Sequence, residues 1–189
     1  IIGKGPSART VPLELPPLTL VAATTRIALL SSPLRSRFSG GTFRLDFYTD
    51  EDIFSIIKRS AEILGVEAHE DALREVAKRS RFTPRTANYL LKRSRDFAEI
   101  EGAPLSKDVA GKALKLLGVD EKGLTPIDRK LLTLIADKFN GGPVGLSTLA
   151  ASLSEDMATI EEVHEPFLLQ LGFIERSPRG RMITEEGRR

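Results

Sequence analysis

The chain has 189 residues and a mass of 20.7 kDa, and its 41% hydrophobic and 29% charged residues fit a folded, water-soluble protein rather than a disordered one. With no cysteine there is no disulfide, no thiolate nucleophile and no cysteine-ligated zinc, and two isolated histidines, His69 and His164, do not suggest a metal site or a Ser-His-Asp triad. The net charge of +2 hides an asymmetry: residues 1–118 hold 19 Lys and Arg against 14 Asp and Glu, and residues 119–189 hold 9 against 12. A uniform cationic coat is excluded, so any phosphate contact is local. No apolar run reaches the roughly 18 residues of a membrane helix and nothing reads as a signal peptide, so the reducing cytoplasm is the expected compartment.

Residues 1–48 alternate short extended runs with Gly, Pro and Ser. Leu18–Ala23, bounded by Pro17 and Thr24, predicts a buried strand, and Phe43–Phe47 alternates as another; a short helix is expected after Pro33. So few strands close no sheet, and the first residue is Ile1 rather than Met, so a piece of a longer protein is expected. From Thr49 the pattern becomes helical. Thr49 is a candidate N-cap with Asp50, Glu51 and Asp52 in the first turn, and Ile53, Ile56, Ile57, Ala61 and Leu64 fall on one face. Further helices are predicted over 70–80, behind Thr83-Pro84, with Ala87, Leu90, Leu91, Phe97 and Ala98 inward, and after Ser106, giving a four-helix bundle over 49–118.

Gly118–Gly123 reads as a polar linker into a third segment, 119–189. There a helix over 126–139 stops at Asn140-Gly141-Gly142-Pro143, and two more follow Ser147 and Asp156. Phe173–Arg176 and Arg181–Thr184, joined by Ser177-Pro178-Arg179-Gly180, predict a hairpin. Three helices closed by a hairpin is the winged-helix arrangement. The fold class expected is therefore mainly α with a small α/β piece at the start.

Arg176, Arg179 and Arg181 cluster around the hairpin turn, where guanidinium groups suit phosphates. Basic turns are common, and composition leaves DNA contact and a solvated turn equally open. The preceding helix bears Glu155, Asp156, Glu161, Glu162 and Glu165, a poor complement to a polyanion, so the wing is the expected DNA contact rather than the helix. No G-x-x-x-x-G-K-[ST] phosphate loop is present. Arg85 stands in a first helical turn against the dipole; taken alone, an ordinary surface arginine is the preferred account over an anion-binding one.

Ala22-Ala23-Thr24-Thr25-Arg26 followed by Ser32-Pro33-Leu34-Arg35-Ser36-Arg37-Phe38 resembles the sensor-1 strand and arginine-finger segment of AAA+ ATPases. Within them the chain is most similar to the RuvB family, on Gly3–Arg9, Arg85-Thr86-Ala87-Asn88, Arg95–Ala98, Gly141–Leu146, Glu165–Leu168 and Arg176–Arg181, in order along the whole chain. The resemblance implies that 1–48 end an AAA+ large domain, 49–118 form its helical lid and 119–189 a winged-helix DNA-binding domain. It implies a hexameric ring that hydrolyses ATP with Mg²⁺, its site largely in an upstream part, and that branch-migrates Holliday junctions held by RuvA. Thr25 matches sensor 1, Arg37 the finger that reaches a neighbour's ATP, Arg85 sensor 2, and Tyr48 a nucleotide contact. Arg176, Arg181 and Arg179 match DNA-touching wing residues, and Val11 and Leu13 the RuvA-docking hairpin. Phe82 stands where the family usually carries glycine. The rival readings are a non-enzymatic winged-helix DNA-binding regulator and another AAA+ protein such as a clamp loader.

Overall fold

A computed structural model describes residues 16–189, so Val11 and Leu13 lie outside the described residues. The chain divides into two units, the first ending at Leu45 and the second spanning Asp46–Arg189. In the first, a 3₁₀ turn, Ile27–Leu29, precedes a single-turn helix, α1 (Ser32–Arg35), with Pro33 in its first turn. The strands expected at 18–23 and 43–47 do not form: both stretches are irregular, with Val21 88% and Leu45 90% exposed. Apolar alternation makes a strand only where neighbours take its amides and cover its side chains, and among the described residues none does.

The second unit opens with a four-helix bundle: α2 (Asp50–Ile63), α3 (Glu70–Lys78), α4 (Pro84–Glu101) and α5 (Lys107–Leu116). The Asp52 amide donates to Thr49 Oγ1 at 3.2 Å and the Thr49 amide to Asp52 Oδ2 at 3.0 Å, a complete capping box. These bonds hold the Asp52 carboxyl below its ordinary range. Ser106 caps α5 by accepting from the Val109 amide at 3.4 Å. The core gathers Ile53, Ile57, Leu90, Leu91 and Leu114, each at most 1% exposed, and each contributes on the order of 1.5–3 kcal/mol by burial. Phe54 joins this core, whereas Ile56, Leu64 and Phe97, expected inward, are only partly covered. Because α2 packs on both α3 and α4, its buried face is wider than a single stripe.

Beyond it lies α6 (Pro126–Thr133), which continues as a π-helical turn over Leu134–Lys138. Then come α7 (Leu146–Leu153) and α8 (Met157–Thr159). A second π turn, Ile160–His164, leads into α9 (Glu165–Gln170). The wider turn ends two residues before Pro166, which has no amide hydrogen to give an α-helical ladder. Strands β1 (Ile174–Ser177) and β2 (Gly180–Ile183) pair antiparallel, and a last turn, α10 (Glu185–Arg188), follows. Val144 bridges Arg181 through both backbone bonds, at 2.9 and 2.8 Å, which ties the hairpin to the loop before α7. Gly180 (φ +137°) lies so close to the Val144 carbonyl that no Cβ fits there. A second core, centred on Leu131, Ile135, Leu149, Ile160 and Leu168, holds the three helices and hairpin together. Among the described residues no helix is long and apolar enough to cross a membrane.

Candidate nucleic-acid interface

The hairpin register sets Arg176 directly opposite Arg181. Like charges facing across a ladder repel, so this pair needs a counter-charge. Glu165 supplies it. It is fully buried, and its carboxylate accepts from Arg176 Nε at 3.0 Å and from Arg181 Nη2 at 3.2 Å, with shorter bonds from Arg176 Nη2 and Arg181 Nε. Glu161 adds a weaker contact to Arg181 at 3.8 Å. The bonds from Glu165 hold the Arg181 guanidinium above its ordinary range, against the opposing effect of burial.

The two arginines are therefore held unequally. The Arg181 side chain is 15% exposed, whereas that of Arg176 is 48% exposed. Arg179, at the exposed turn, has no ion pair among the described residues. It is the most available cation of the wing. The glutamate, read from sequence as a surface acid hostile to a polyanion, is instead the anchor of the wing. One signal was present: Glu165 lies three residues before Leu168 and, across the π turn, five after Ile160, both fully buried.

A second polar group lies where the winged helix meets the bundle. Asp128, in the first turn of α6 and fully buried, accepts from the Thr125 amide at 2.8 Å and from Thr125 Oγ1 at 2.6 Å. It also meets His164 Nδ1 at 2.7 Å and Arg81 Nη1 at 3.0 Å. With the carboxylate ionised, His164 donates from Nδ1. Burial alone would raise the Asp128 carboxyl, but the bonds from His164 and Thr125 and the charge of Arg81 outweigh it and hold it low. Sequence reading left His164 without a role and did not single out Asp128 or Arg81; their separations, 36 and 47 residues, leave no local signal.

The remaining predicted residues divide between the units. Thr25 and Arg37 belong to the first, Thr25 in an exposed irregular stretch and Arg37 exposed just after α1. Tyr48 and Arg85 belong to the second. Tyr48 is 47% exposed beside the α2 cap, and Arg85 is exposed in the first turn of α4. Neither Arg37 nor Arg85 has an acid partner among the described residues. A helix N-terminus carrying an unpaired guanidinium suits a phosphate. Among the described residues no three His, Asp or Glu side chains gather as a metal site.

Three family models match the chain in succession. The Holliday junction DNA helicase RuvB P-loop domain covers residues 1–45, the RuvB AAA lid domain 48–120, and the RuvB C-terminal winged helix domain 121–189. The Holliday junction branch migration complex subunit RuvB of Koribacter versatilis is 57% identical over 185 residues, covering 97% of this chain and 51% of that protein. The same subunit of Dehalococcoides mccartyi is also 57% identical, with 53% of it covered. Among solved structures, the Thermotoga maritima RuvB Holliday junction branch migration motor matches at a TM-score of 0.79 with 48% identity, over 85% of this chain and 54% of that one. The chain thus spans about half the length of the curated relatives it matches.

Proposed function

This chain belongs to the RuvB family, and on that premise we propose that it serves in an ATP-driven DNA translocase, a hexameric ring that branch-migrates Holliday junctions in recombination and repair. The carrying observation is the unbroken order of the three RuvB models over nearly every residue. Identity at this level and over this span does not favour an unrelated regulator or a clamp loader. The partners are duplex DNA at four-way junctions, a RuvA-like protein docked on Val11 and Leu13, and further copies of the subunit, working in the cytoplasm.

In this reading Arg85 and Tyr48 meet the nucleotide from the lid side. Arg85 donates to a phosphate, where the helix dipole it opposes in isolation favours the incoming anion. Thr25 orients the attacking water. Arg37 reaches the neighbouring subunit's nucleotide and stabilises charge on the γ-phosphate, a contribution of roughly 10³–10⁵ in rate for related NTPases. Mg²⁺, when bound, would supply charge neutralisation at the nucleotide phosphates; among the described residues no three His, Asp or Glu side chains gather to hold it. The 189 residues contain no Gly-x-x-x-x-Gly-Lys-Ser/Thr loop, so this reading assigns ATP hydrolysis to the full-length protein.

On the DNA side, Arg179 and the exposed edge of Arg176 contact phosphates, and Arg181 backs them through Glu165. Phosphate contact without base readout suits a motor that must move along any sequence. Arg37 gives the test. In the full-length protein, wild-type and Arg37→Ala subunits are mixed and DNA-stimulated ATPase is measured. Activity falling more steeply than the mutant fraction is the expected result; a proportional fall removes the finger role, and no DNA-stimulated ATPase in the wild type removes the motor.

A further inference from the structure

We infer that Arg81, Phe82 and Asp128 form a clasp that fixes the winged helix rigidly to the four-helix bundle, making them positioning residues for the wing. The consequence for DNA movement rests on the motor reading; the clasp itself does not. Two adjacent residues between α3 and α4, Arg81 (φ +58°) and Phe82 (φ +56°), adopt the left-handed conformation without being glycine. Such a pair persists only where surrounding contacts over-determine it.

The side-chain hydrogen bonds and ring contacts of the pair reach the winged helix. Arg81 Nη1 donates to Asp128 Oδ2 at 3.0 Å, and Arg81 Nη2 to the Val163 carbonyl in the second π turn at 3.0 Å. The same guanidinium lies 4.5 Å from the Phe167 ring centre, and the Phe82 ring is 6.0 Å from it. Phe82 thus packs into the second core although it belongs to the bundle's chain segment. Asp128 also accepts from Thr125 and meets His164, so both ends of the ion pair carry further hydrogen bonds.

The covalent connection is fixed too. Asp120 Oδ1 accepts from the Lys122 and Leu124 amides, each at 2.8 Å, which folds the expected linker into a turn. Gly123 (φ +81°) approaches the Arg79 backbone so closely that a Cβ would stand 3.1 Å from its carbonyl oxygen. Two attachments separated by some forty residues of chain remove the freedom that a single flexible linker would leave. On the motor reading, because Arg85 follows Phe82 by three residues, a displacement of the α4 start would be passed through the clasp to α6 and α9 of the winged helix.

The experiment uses the 189-residue chain and measures residual dipolar couplings on wild type, Phe82→Gly and Arg81→Gln. A single alignment tensor for residues 49–118 and 121–189 is expected in the wild type. It is expected to split into two in either variant, with amide shifts away from the joint unchanged. Two tensors in the wild type, or one tensor retained in both variants, overturns the clasp. So does loss of the winged-helix spectrum in both variants, which would mark the residues as merely structural. Duplex affinity, read in parallel by fluorescence anisotropy, is expected to stay at the wild-type value in Phe82→Gly. Because the couplings involve neither ATP nor DNA, a rigid joint in a chain that binds no duplex defeats the motor reading alone, and a loose joint in a chain that binds duplex defeats the clasp alone.

Discussion

Glu165 carries the wing on one side chain. Replacing it with alanine leaves Arg181 largely buried without its counter-ion, and breaking a buried pair in this way costs about 3–5 kcal/mol. Half-exposed Arg176 is partly compensated by water and contributes little of that loss. Urea unfolding of Glu165→Ala is therefore expected to show a large fall in midpoint, while Arg179→Ala stays within about 0.5 kcal/mol of wild type. Asp128 gives the same contrast in pH. Its folded carboxyl lies below the ordinary range, so the stability it supplies is complete above about pH 4 and is lost as pH falls through the lower folded value. Acid titration of stability is expected to fall less steeply in this range for Asp128→Asn, which starts less stable at neutral pH. Equal slopes in the two proteins would contradict the assignment.

Among the elements, α2 owes its start to the Thr49–Asp52 box, and Thr49→Ala is expected to lower stability by about 1 kcal/mol in thermal or urea unfolding. That box was legible from Thr49 and three following acids, and so were the bundle helices, the stop at Asn140–Pro143 and the hairpin, because each rests on residues within one or two turns of chain. Leu18–Ala23 and Phe43–Phe47 misled for the opposite reason. A strand is a property of its neighbours, and alternation cannot show whether neighbours are there. The candidate site was half legible. The three wing arginines stood out by clustering, but which of them is free was decided by Glu165, 11 and 16 residues away. Gly118–Gly123 read as a linker and is one, yet Asp120 turns it into an ordered bend that composition does not announce.

In the whole molecule, cations are local rather than general: the winged-helix half carries a net negative charge, and its wing concentrates three arginines within six residues. Duplex binding is then expected to be weak, sensitive to salt and tolerant of sequence, since phosphates are the same everywhere. The most direct test is fluorescence anisotropy of this chain with two duplexes of unrelated sequence across a salt series, for wild type and Arg179→Ala. Equal affinities for the two duplexes are predicted, with a log–log salt slope that becomes shallower by about 1 in the variant. A strong preference for one duplex, or affinity indifferent to salt, would contradict a wing that grips the backbone without reading bases.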